Sequence, residues 1–325
     1  MKGRRQANGA DGLAIRAMAA AVPDKVQTVA QASGDLGLNA MQVKMFSRLY
    51  GLNRLPFDPE QSLGGLLQAA LDALAAKAPD DVANARYVLH CHTIPMVRPP
   101  ADGLGLNLEA AEDISVTMAH CASGLVALDM LQTLLAPGET AVVLVGEKAF
   151  HPRVRVIRDN TLMSDGVAAL LVGKGSGRWQ VLGTHSTHDG AYALSRGHPR
   201  EEPGLTADYV GFVVSHIHSA LQRFGCSVAA LRMILPHNVN MISWQAIAKA
   251  LGVPNAAVYT RNIPRFGHCF GADPFLNLMD ADADGQLAPG DKALCVSVGM
   301  GMTAASSLIE IPPLTPAASP LNTTI

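Results

Sequence analysis

The 325-residue sequence contains few aromatic and few charged residues. Aromatic residues make up 5% of the chain and charged residues 16%, and the formal net charge is -2. Such a composition gives no electrostatic basis for binding nucleic acid or an anionic membrane. Apolar residues account for 49% of the chain. The length and this apolar content allow a large buried core, formed by two ordinary domains or by one large α/β unit.

Cysteine is also scarce, and its spacing does not suggest a scaffold held by disulfides or by zinc. The five cysteines are widely separated and form no Cys-X-X-Cys pair. This pattern favours reduced thiols over a disulfide framework or a zinc site. No apolar run reaches the ~18 residues that cross a bilayer, and Arg16 interrupts the short N-terminal run that faintly resembles an export signal. We therefore expect a soluble, cytoplasmic protein without metal or cofactor.

Cys121 lies between two different patterns of apolar residues. Residues 114–118 alternate between apolar and polar, which predicts a half-buried strand, and after Gly124 leucines recur at helical spacing. The first amides of a helix lack intrahelical partners and carry the positive end of its dipole, so they favour a thiolate placed there. Cys121 is therefore a candidate nucleophile. The alternative is a small buried cysteine in a core helix.

Two parts of the sequence look like copies of one unit. The string LAPGETAVVLVG at 135–146 returns as LAPGDKALCVSVG at 287–299, and a His-Cys pair with an apolar helix precedes each copy. The order helix, strand, His-Cys, helix, turn, strand repeats in register, which favours duplication over chance similarity of a turn. Alternating strands and helices imply a largely parallel sheet covered on both faces. Two copies predict duplicated α/β halves in a five-layered αβαβα arrangement.

The duplication suggests boundaries along the chain. We predict an N-terminal half at residues 12–175 that carries the nucleophilic cysteine and a C-terminal half at 176–311 that carries two candidate histidines. Residues 1–11 and the proline-rich residues 312–325 are expected to be disordered, since neither can bury enough apolar surface. A site would lie between the halves.

Two histidines of the second half could assist the thiol. His237 directly follows the apolar strand predicted at residues 233–235, and His268 lies in a glycine-flanked turn. Catalytic groups tend to be presented at such positions, and an activated thiol needs a base or an electrostatic partner. Taken alone, each histidine would more often be a satisfied polar residue than a catalytic one.

Five short sequence blocks follow one another along the chain. They are His120-Cys-Ala-Ser-Gly124, Ser164-Asp-Gly166, His237-Asn-Val-Asn240, Gly267-His-Cys-Phe-Gly271 and Gly299-Met-Gly-Met-Thr303. In content and order they resemble the blocks of the β-ketoacyl-acyl carrier protein synthase III family, and the resemblance covers about 300 residues. The resemblance implies a thiolase-like fold. It also implies that Cys121 is the acylated nucleophile and that His237 and His268 are catalytic.

The same resemblance assigns further roles. It makes the backbone amides of Cys121 and Met300 the donors of an oxyanion hole. It gives supporting positions to Asn240, Gly299 and Gly301.

The chain departs from the family at several positions. His268 stands where the family has an asparagine, so the set reads Cys-His-His. The glycine block reads Gly-Met-Gly where three glycines are usual, although an amide of Met300 needs no bare Cα to donate. The loops at 93–107 and 148–163 differ from the family's, so the resemblance does not define which acyl chain is used.

Two charged segments allow more than one interpretation. Arg153, Arg155 and Arg158 could be simply solvated, or could contact the anionic helices of a carrier protein or the phosphates of coenzyme A. The acids at 280–291 imitate a calcium loop. Pro289 and the duplicated turn favour a solvated helix end instead, and we predict no metal.

The sequence therefore predicts a ketosynthase III-like enzyme. An acyl group from a coenzyme A or carrier-protein thioester would load Cys121 and condense with a malonyl-type thioester. The alternative within the fold is an acyltransferase that passes the acyl group to an alcohol or amine. A non-catalytic partner subunit is a further alternative, but the retention of Cys121 and both histidines argues against it.

We also predict a homodimer. The half that carries Cys121 contains a strongly apolar sheet, and the thiolase fold that the sequence resembles pairs through such a sheet, so isologous contact would continue it across a twofold axis. Light scattering at micromolar concentration should give twice the chain mass. A monomeric mass would contradict this prediction.

Overall fold

The computed structural model describes residues 12–93, 111–149, 151–157, 159–190 and 204–313. The segment expected to be disordered at 1–11, and residues 314–325 of the predicted tail, lie outside the described residues. Most of the loop at 93–107 lies outside them as well.

The described residues form strands and helices that are interspersed along the chain. The strands are β1 (Leu13–Ala21), β2 (Val26–Thr28), β3 (Arg54–Pro56), β4 (Tyr87–Cys91), β5 (Glu112–Val116), β6 (Thr140–Glu147), β7 (Val156–Ile157), β8 (Thr161–Leu162), β9 (Gly166–Lys174), β10 (Trp179–His188), β11 (Met233–Pro236), β12 (Lys292–Gly299) and β13 (Thr303–Glu310). The helices are α1 (Val29–Leu36), α2 (Ala40–Lys44), α3 (Leu63–Ala75), α4 (Pro79–Ala83), α5 (Ser123–Leu134), α6 (Pro152–Arg155), α7 (Gly204–Phe224), α8 (Met241–Leu251), α9 (Ile263–Phe266) and α10 (Asp273–Ala283).

Nine strands form one sheet whose order repeats about its centre. The order is β11-β12-β13-β10-β1-β9-β6-β4-β5. From the middle outward, one side of the sheet contains β1, β9, β6 and β4, and the other contains β10, β13, β12 and β11. On each side, these are the first, fourth, third and second of the four strands in chain order. The two halves meet through a short antiparallel contact between β1 and β10. The predicted duplication is therefore confirmed.

The sheet is mixed, so the expectation of a largely parallel sheet was wrong. Strand pairs β4–β5, β4–β6 and β11–β12 are parallel, whereas β6–β9 and β12–β13 are antiparallel. The reason is visible at β12 and β13, which only residues 300–302 connect. A connection this short joins antiparallel strands only, because a parallel pair needs a crossover of a dozen or more residues.

Three apolar clusters define the layers. The central cluster packs α5 and α10 between the inner faces of both halves. An outer cluster packs α7 and α8 on the C-terminal half, and another packs α3 and α4 on the N-terminal half. Helices therefore cover both sides of each half-sheet and lie between the halves, which confirms the five-layered αβαβα arrangement.

Two local features differ from a simple reading of the pattern. The helical periodicity at 29–50 is divided at Gly37, whose left-handed φ of 65° ends α1, and α2 continues into a π-helix at Met45–Leu49. The acids of the calcium-like segment pair with arginines, in the contacts Asp280 with Arg265, Asp282 with Arg178 and Asp284 with Arg261. Within the part of the chain that the structure describes, no helix is both long and apolar enough to cross a membrane.

Candidate active site

Cys121 lies where the two halves meet. It occupies a single turn of 3-10 helix, His120–Ala122, that leads directly into α5. His120 has a left-handed φ of 50°, an unusual backbone conformation for a residue with a side chain. The carbonyl of Cys121 accepts a hydrogen bond of 2.6 Å from the hydroxyl of Ser297, on β12 of the other half. The turn that carries Cys121 is therefore anchored by both halves.

His268 is held in place by a buried carboxylate. Its ring Nδ1 lies 2.5 Å from Oδ2 of Asp273, in the first turn of α10. Asp273 is fully buried and also accepts from the amides of Cys269, at 2.8 Å, and Asn238, at 2.6 Å. The backbone carbonyl of His268 accepts from the amide of Ser164 at 2.9 Å. Ring and backbone are both fixed.

The charge on His268 follows from its neighbours. Burial by itself lowers the pKa of a histidine. The carboxylate of Asp273 and the sulfur of Cys121 both hydrogen-bond to the ring, and together they raise the pKa of His268 to about 10. Because Nδ1 is engaged by Asp273, Nε2 is left to face the sulfur. This is the arrangement of a nucleophile, its base and an orienting acid.

His237 is packed into the same site on a rigid backbone. Its amide donates to the carbonyl of Val296 at 2.9 Å, and its carbonyl accepts from Nε1 of Trp244 at 2.8 Å. Its ring Nε2 lies 2.8 Å from the hydroxyl of Tyr209, on α7. The ring centroids of His237 and His268 are 5.6 Å apart.

The two histidines differ in charge at neutral pH. Burial, together with the positive charge on His268, holds the pKa of His237 well below its ordinary value. His237 is therefore neutral where His268 is protonated. Its Nδ1 is buried and has no hydrogen-bond partner among the described residues. Paired groups with pKa values displaced in opposite directions are characteristic of acid–base sites.

The glycine turn after β12 packs against the candidate nucleophile. A Cβ at Gly299 would lie 2.1 Å from the carbonyl oxygen of Ala119 and 2.9 Å from Cβ of His120. Only glycine permits this close approach. The turn continues through Met300 and Gly301 into β13. Its position fits the predicted oxyanion role of the Met300 amide, which stays a prediction.

A small apolar cluster adjoins the sulfur. Its buried members are Ala149, Met163 and Phe270. They pack against the half-buried side chains of Cys121, Val154 and Ile157. These residues come from the segment after β6, from α6 to β8, and from the turn after His268. They provide an apolar lining beside the thiol.

The side chain of Asn240 binds groups of two neighbouring segments. Its side chain caps α8 by accepting from the amide of Ser243 at 2.7 Å. Its Nδ2 donates to Asn160, at 3.0 Å to the backbone carbonyl and 2.9 Å to Oδ1. This contact ties the loop after His237 to the turn between β7 and β8.

Asp165 of the aspartate-glycine block is structural. Burial raises its pKa, while the amide of Ala149 and the ammonium of Lys148, at 2.8 and 3.2 Å, favour its ionised form. The next residue, Gly166, packs against Cys269, since a Cβ there would lie 2.9 Å from its sulfur. The block therefore holds the segment that pairs with the His268 turn.

The three predicted arginines do not form one exposed patch. Arg155 is only 3% exposed, and its guanidinium stacks 4.0 Å above the ring of Phe57. Because it is removed from solvent, the expected contact with carrier or coenzyme A phosphates is wrong for Arg155. Arg153 is exposed on α6, and Arg158 lies outside the described residues.

Two residues of the site were not found by sequence reasoning. The sequence does contain a signal for Asp273. This residue follows His268 by five positions and begins an apolar helix. A carboxylate is unexpected in such a buried segment unless it has a specific partner. Tyr209 has none. Its contact with His237, 28 positions away, depends on how α7 crosses the sheet.

Comparison with known proteins agrees with this geometry. Residues 221–311 match the family model described as 3-oxoacyl-[acyl-carrier-protein] synthase III C terminal. The chain is 29% identical over 231 residues to a β-ketoacyl-[acyl-carrier-protein] synthase III of Caldanaerobacter subterraneus subsp. tengcongensis, covering 64% of this chain and 69% of that protein.

Solved structures match along nearly the whole chain. The 3-oxoacyl-[acyl-carrier-protein] synthase III of Aquifex aeolicus VF5 superposes with a TM-score of 0.77 at 20% identity, over 92% of this chain and 100% of that one. ChlB3, an acyltransferase, gives a TM-score of 0.80 at 17% identity, over 93% and 98%. At these identities the structures show the fold alone.

The fold and the strand-end cysteine define a thiolase-fold protein. The sequence matches make the chain similar to the β-ketoacyl-acyl carrier protein synthase III family.

The raised pKa of His268 gives a testable prediction about Asp273. Replacing Asp273 with asparagine removes the negative charge, so the pKa of His268 should fall well below about 10. Titration of ¹³C-labelled imidazoles by NMR checks this. The pKa of His237 should rise, because the positive charge on His268 that lowers it is weakened, and histidines outside the site should be unchanged. The same shift predicts a pH dependence of stability. The folded-state pKa of His268 is raised, so the free energy of unfolding that its proton contributes is fully present below pH ~6.5 and is lost as the pH rises towards 10. The difference in free energy of unfolding between wild type and Asp273→Asn should therefore shrink between those two pH values. An unchanged His268 titration would contradict this account.

Proposed function

We propose that this protein is a ketosynthase III-like condensing enzyme. It would take an acyl group from a coenzyme A or carrier-protein thioester onto Cys121 and join it to a malonyl-type thioester. The observation that carries the proposal is the linked set of Cys121, His268 and Asp273, with neutral His237 beside it and the Gly299 turn packed on the same backbone.

The loading step uses the charged pair. The Cys121 sulfur attacks the thioester carbonyl, and the negative charge that forms on the carbonyl oxygen is received by the amides of Cys121 and Met300. The carbon–sulfur bond to the carrier breaks, and the leaving sulfur takes the proton from His268. This leaves acyl-Cys121 and a neutral His268 still oriented by Asp273. One proton from solvent then restores the His268 cation, whose Nε2 can again donate a hydrogen bond.

The condensing step needs hydrogen-bond donors around a second oxygen. The malonyl carboxylate leaves as carbon dioxide, and negative charge builds on the thioester oxygen. Hydrogen-bond donors on the side of the site that contains His237 and His268 stabilise this charge. The resulting carbanion attacks acyl-Cys121, and the Cys121 sulfur leaves as thiolate. The cycle ends with the Cys121 thiolate beside protonated His268.

The surroundings of the sulfur support an apolar acyl group. The lining formed by Ala149, Met163 and Phe270 is buried and offers dispersion contacts but no charge to a bound chain. We infer that the acyl donors are carried by coenzyme A or an acyl carrier protein, that Arg153 can contact their phosphates, and that the enzyme acts in the cytoplasm as a homodimer.

One observation favours a second candidate. The charged Asp273–His268 pair is the acid–base arrangement of acyl transfer, in which His268 deprotonates an accepting alcohol or amine. An acyltransferase of the same fold is therefore the alternative function.

Covalent loading is the first test of the proposal. Intact-protein mass spectrometry with a panel of acyl thioesters should show a mass increase equal to the acyl group in wild type. Cys121→Ala should show none. Cys269→Ala is a matched control, because this buried thiol lies next to His268 but has no proposed role, and it should load normally. Loading of Cys121→Ala would show that the nucleophile is another residue.

The identity of residue 268 separates the two functions. For condensation by enzyme already acylated on Cys121, an asparagine amide donates as well as an imidazole, so His268→Asn should retain much activity, while His268→Ala should slow this step by ~10²–10³. Both variants should load more slowly, because neither can give a proton to the leaving sulfur. An acyltransferase that uses His268 as a base should lose transfer in both variants. Carbon dioxide release and product mass, measured with malonyl-carrier protein, decide between them. Absence of both products with several malonyl donors favours the acyltransferase.

A further inference from the structure

The hydroxyl of Tyr209 occupies the position at which His237 would meet a substrate. Its oxygen lies 2.8 Å from Nε2 of His237, and the two ring centroids are 6.3 Å apart at an interplanar angle of 73°. Tyr209 is half-buried on the first turns of α7.

The direction of this hydrogen bond follows from the other ring nitrogen. His237 is neutral, so it carries one N–H. If the proton were on Nδ1, a buried donor would be left without a partner, because Nδ1 contacts no acceptor among the described residues. In proteins, a buried N–H group without an acceptor is rarer than a buried acceptor without a donor. The proton therefore belongs on Nε2, which donates to the Tyr209 oxygen.

This assignment leaves the phenolic proton of Tyr209 free. Burial raises the pKa of the phenol, and the nearby Cys121 sulfur raises it further. Tyr209 therefore stays protonated at every pH at which the enzyme would work. A neutral phenol beside a thiolate site is a strong hydrogen-bond donor in surroundings of low dielectric.

The backbone of His237 does not allow the ring to move away easily. Its amide, its carbonyl and the flanking Trp244 ring, with centroids 5.6 Å apart, hold it on three sides. An oxygen that approached Nε2 would meet the phenol first.

We propose that Tyr209 is a catalytic residue whose hydroxyl donates to the thioester oxygen of the second substrate, with His237 as the positioning residue that holds the phenol. The inference rests on the proposed condensing function. His268 supplies the second donor, so the two donors around the developing oxyanion are a phenol and an imidazole.

Tyr209→Phe tests the assignment because it removes only the hydroxyl. Loading of Cys121 by an acyl thioester should proceed within a few-fold of wild type. Carbon dioxide release from malonyl-carrier protein by the acyl-enzyme should fall by ~10²–10³, the usual effect of one lost donor. Tyr259→Phe is the matched control, since its buried hydroxyl has no partner in the described residues, and it should leave both steps unchanged.

Other outcomes overturn the assignment in distinct ways. If Tyr209→Phe releases carbon dioxide at the wild-type rate, His237 donates directly, and the proposed function stands without this inference. If both steps slow together and the thermal midpoint falls, the hydroxyl only holds the structure. If wild type loads Cys121 but releases no carbon dioxide, the condensing function fails and the inference falls with it.

Discussion

The site depends on one buried carboxylate. Asp273 accepts hydrogen bonds from the ring of His268 and from the amides of Cys269 and Asn238. Since Asn238 belongs to the loop that carries His237, the same side chain fixes both histidine loops. A buried charge is tolerated only when it is paired and fully hydrogen-bonded, and here those bonds determine the geometry of the site.

The duplicated fold explains why these groups converge. The Cys121 turn and the His268 turn occupy equivalent places in the two halves, each before a central helix, and α5 and α10 share one apolar cluster. Contacts across the halves complete the arrangement. Ser297 bonds the carbonyl of Cys121, and Gly299 packs against the residues before it. Neither half alone would bring Cys121 and His268 together.

Much of this could be predicted from the sequence. The change from strand to helical periodicity located Cys121, and the repeated turn revealed the duplication, because both signals are local in the chain. The strand directions within the sheet were not captured by alternation alone. The short connection at 300–302 makes β12 and β13 antiparallel.

The remaining parts of the site depend on packing between distant segments. Arg155 looked like part of an exposed basic patch, but α6 turns it onto the ring of Phe57. Tyr209 reaches His237 only because α7 lies over the sheet of the C-terminal half. No spacing rule in the sequence encodes such contacts.

The most direct test of the central claim is the rate of Cys121 alkylation by iodoacetamide at neutral pH, followed by peptide mass spectrometry. If protonated His268, held by Asp273, pairs with the sulfur, Cys121 should react faster in wild type than in Asp273→Asn and His268→Ala, because the positive charge favours the reactive form of the thiol. Cys226, which is also half-buried, serves as the internal comparison and should react at the same rate in all three proteins. If Cys121 reacted at the same rate in wild type and in both variants, the charged pair at the centre of this account would not exist.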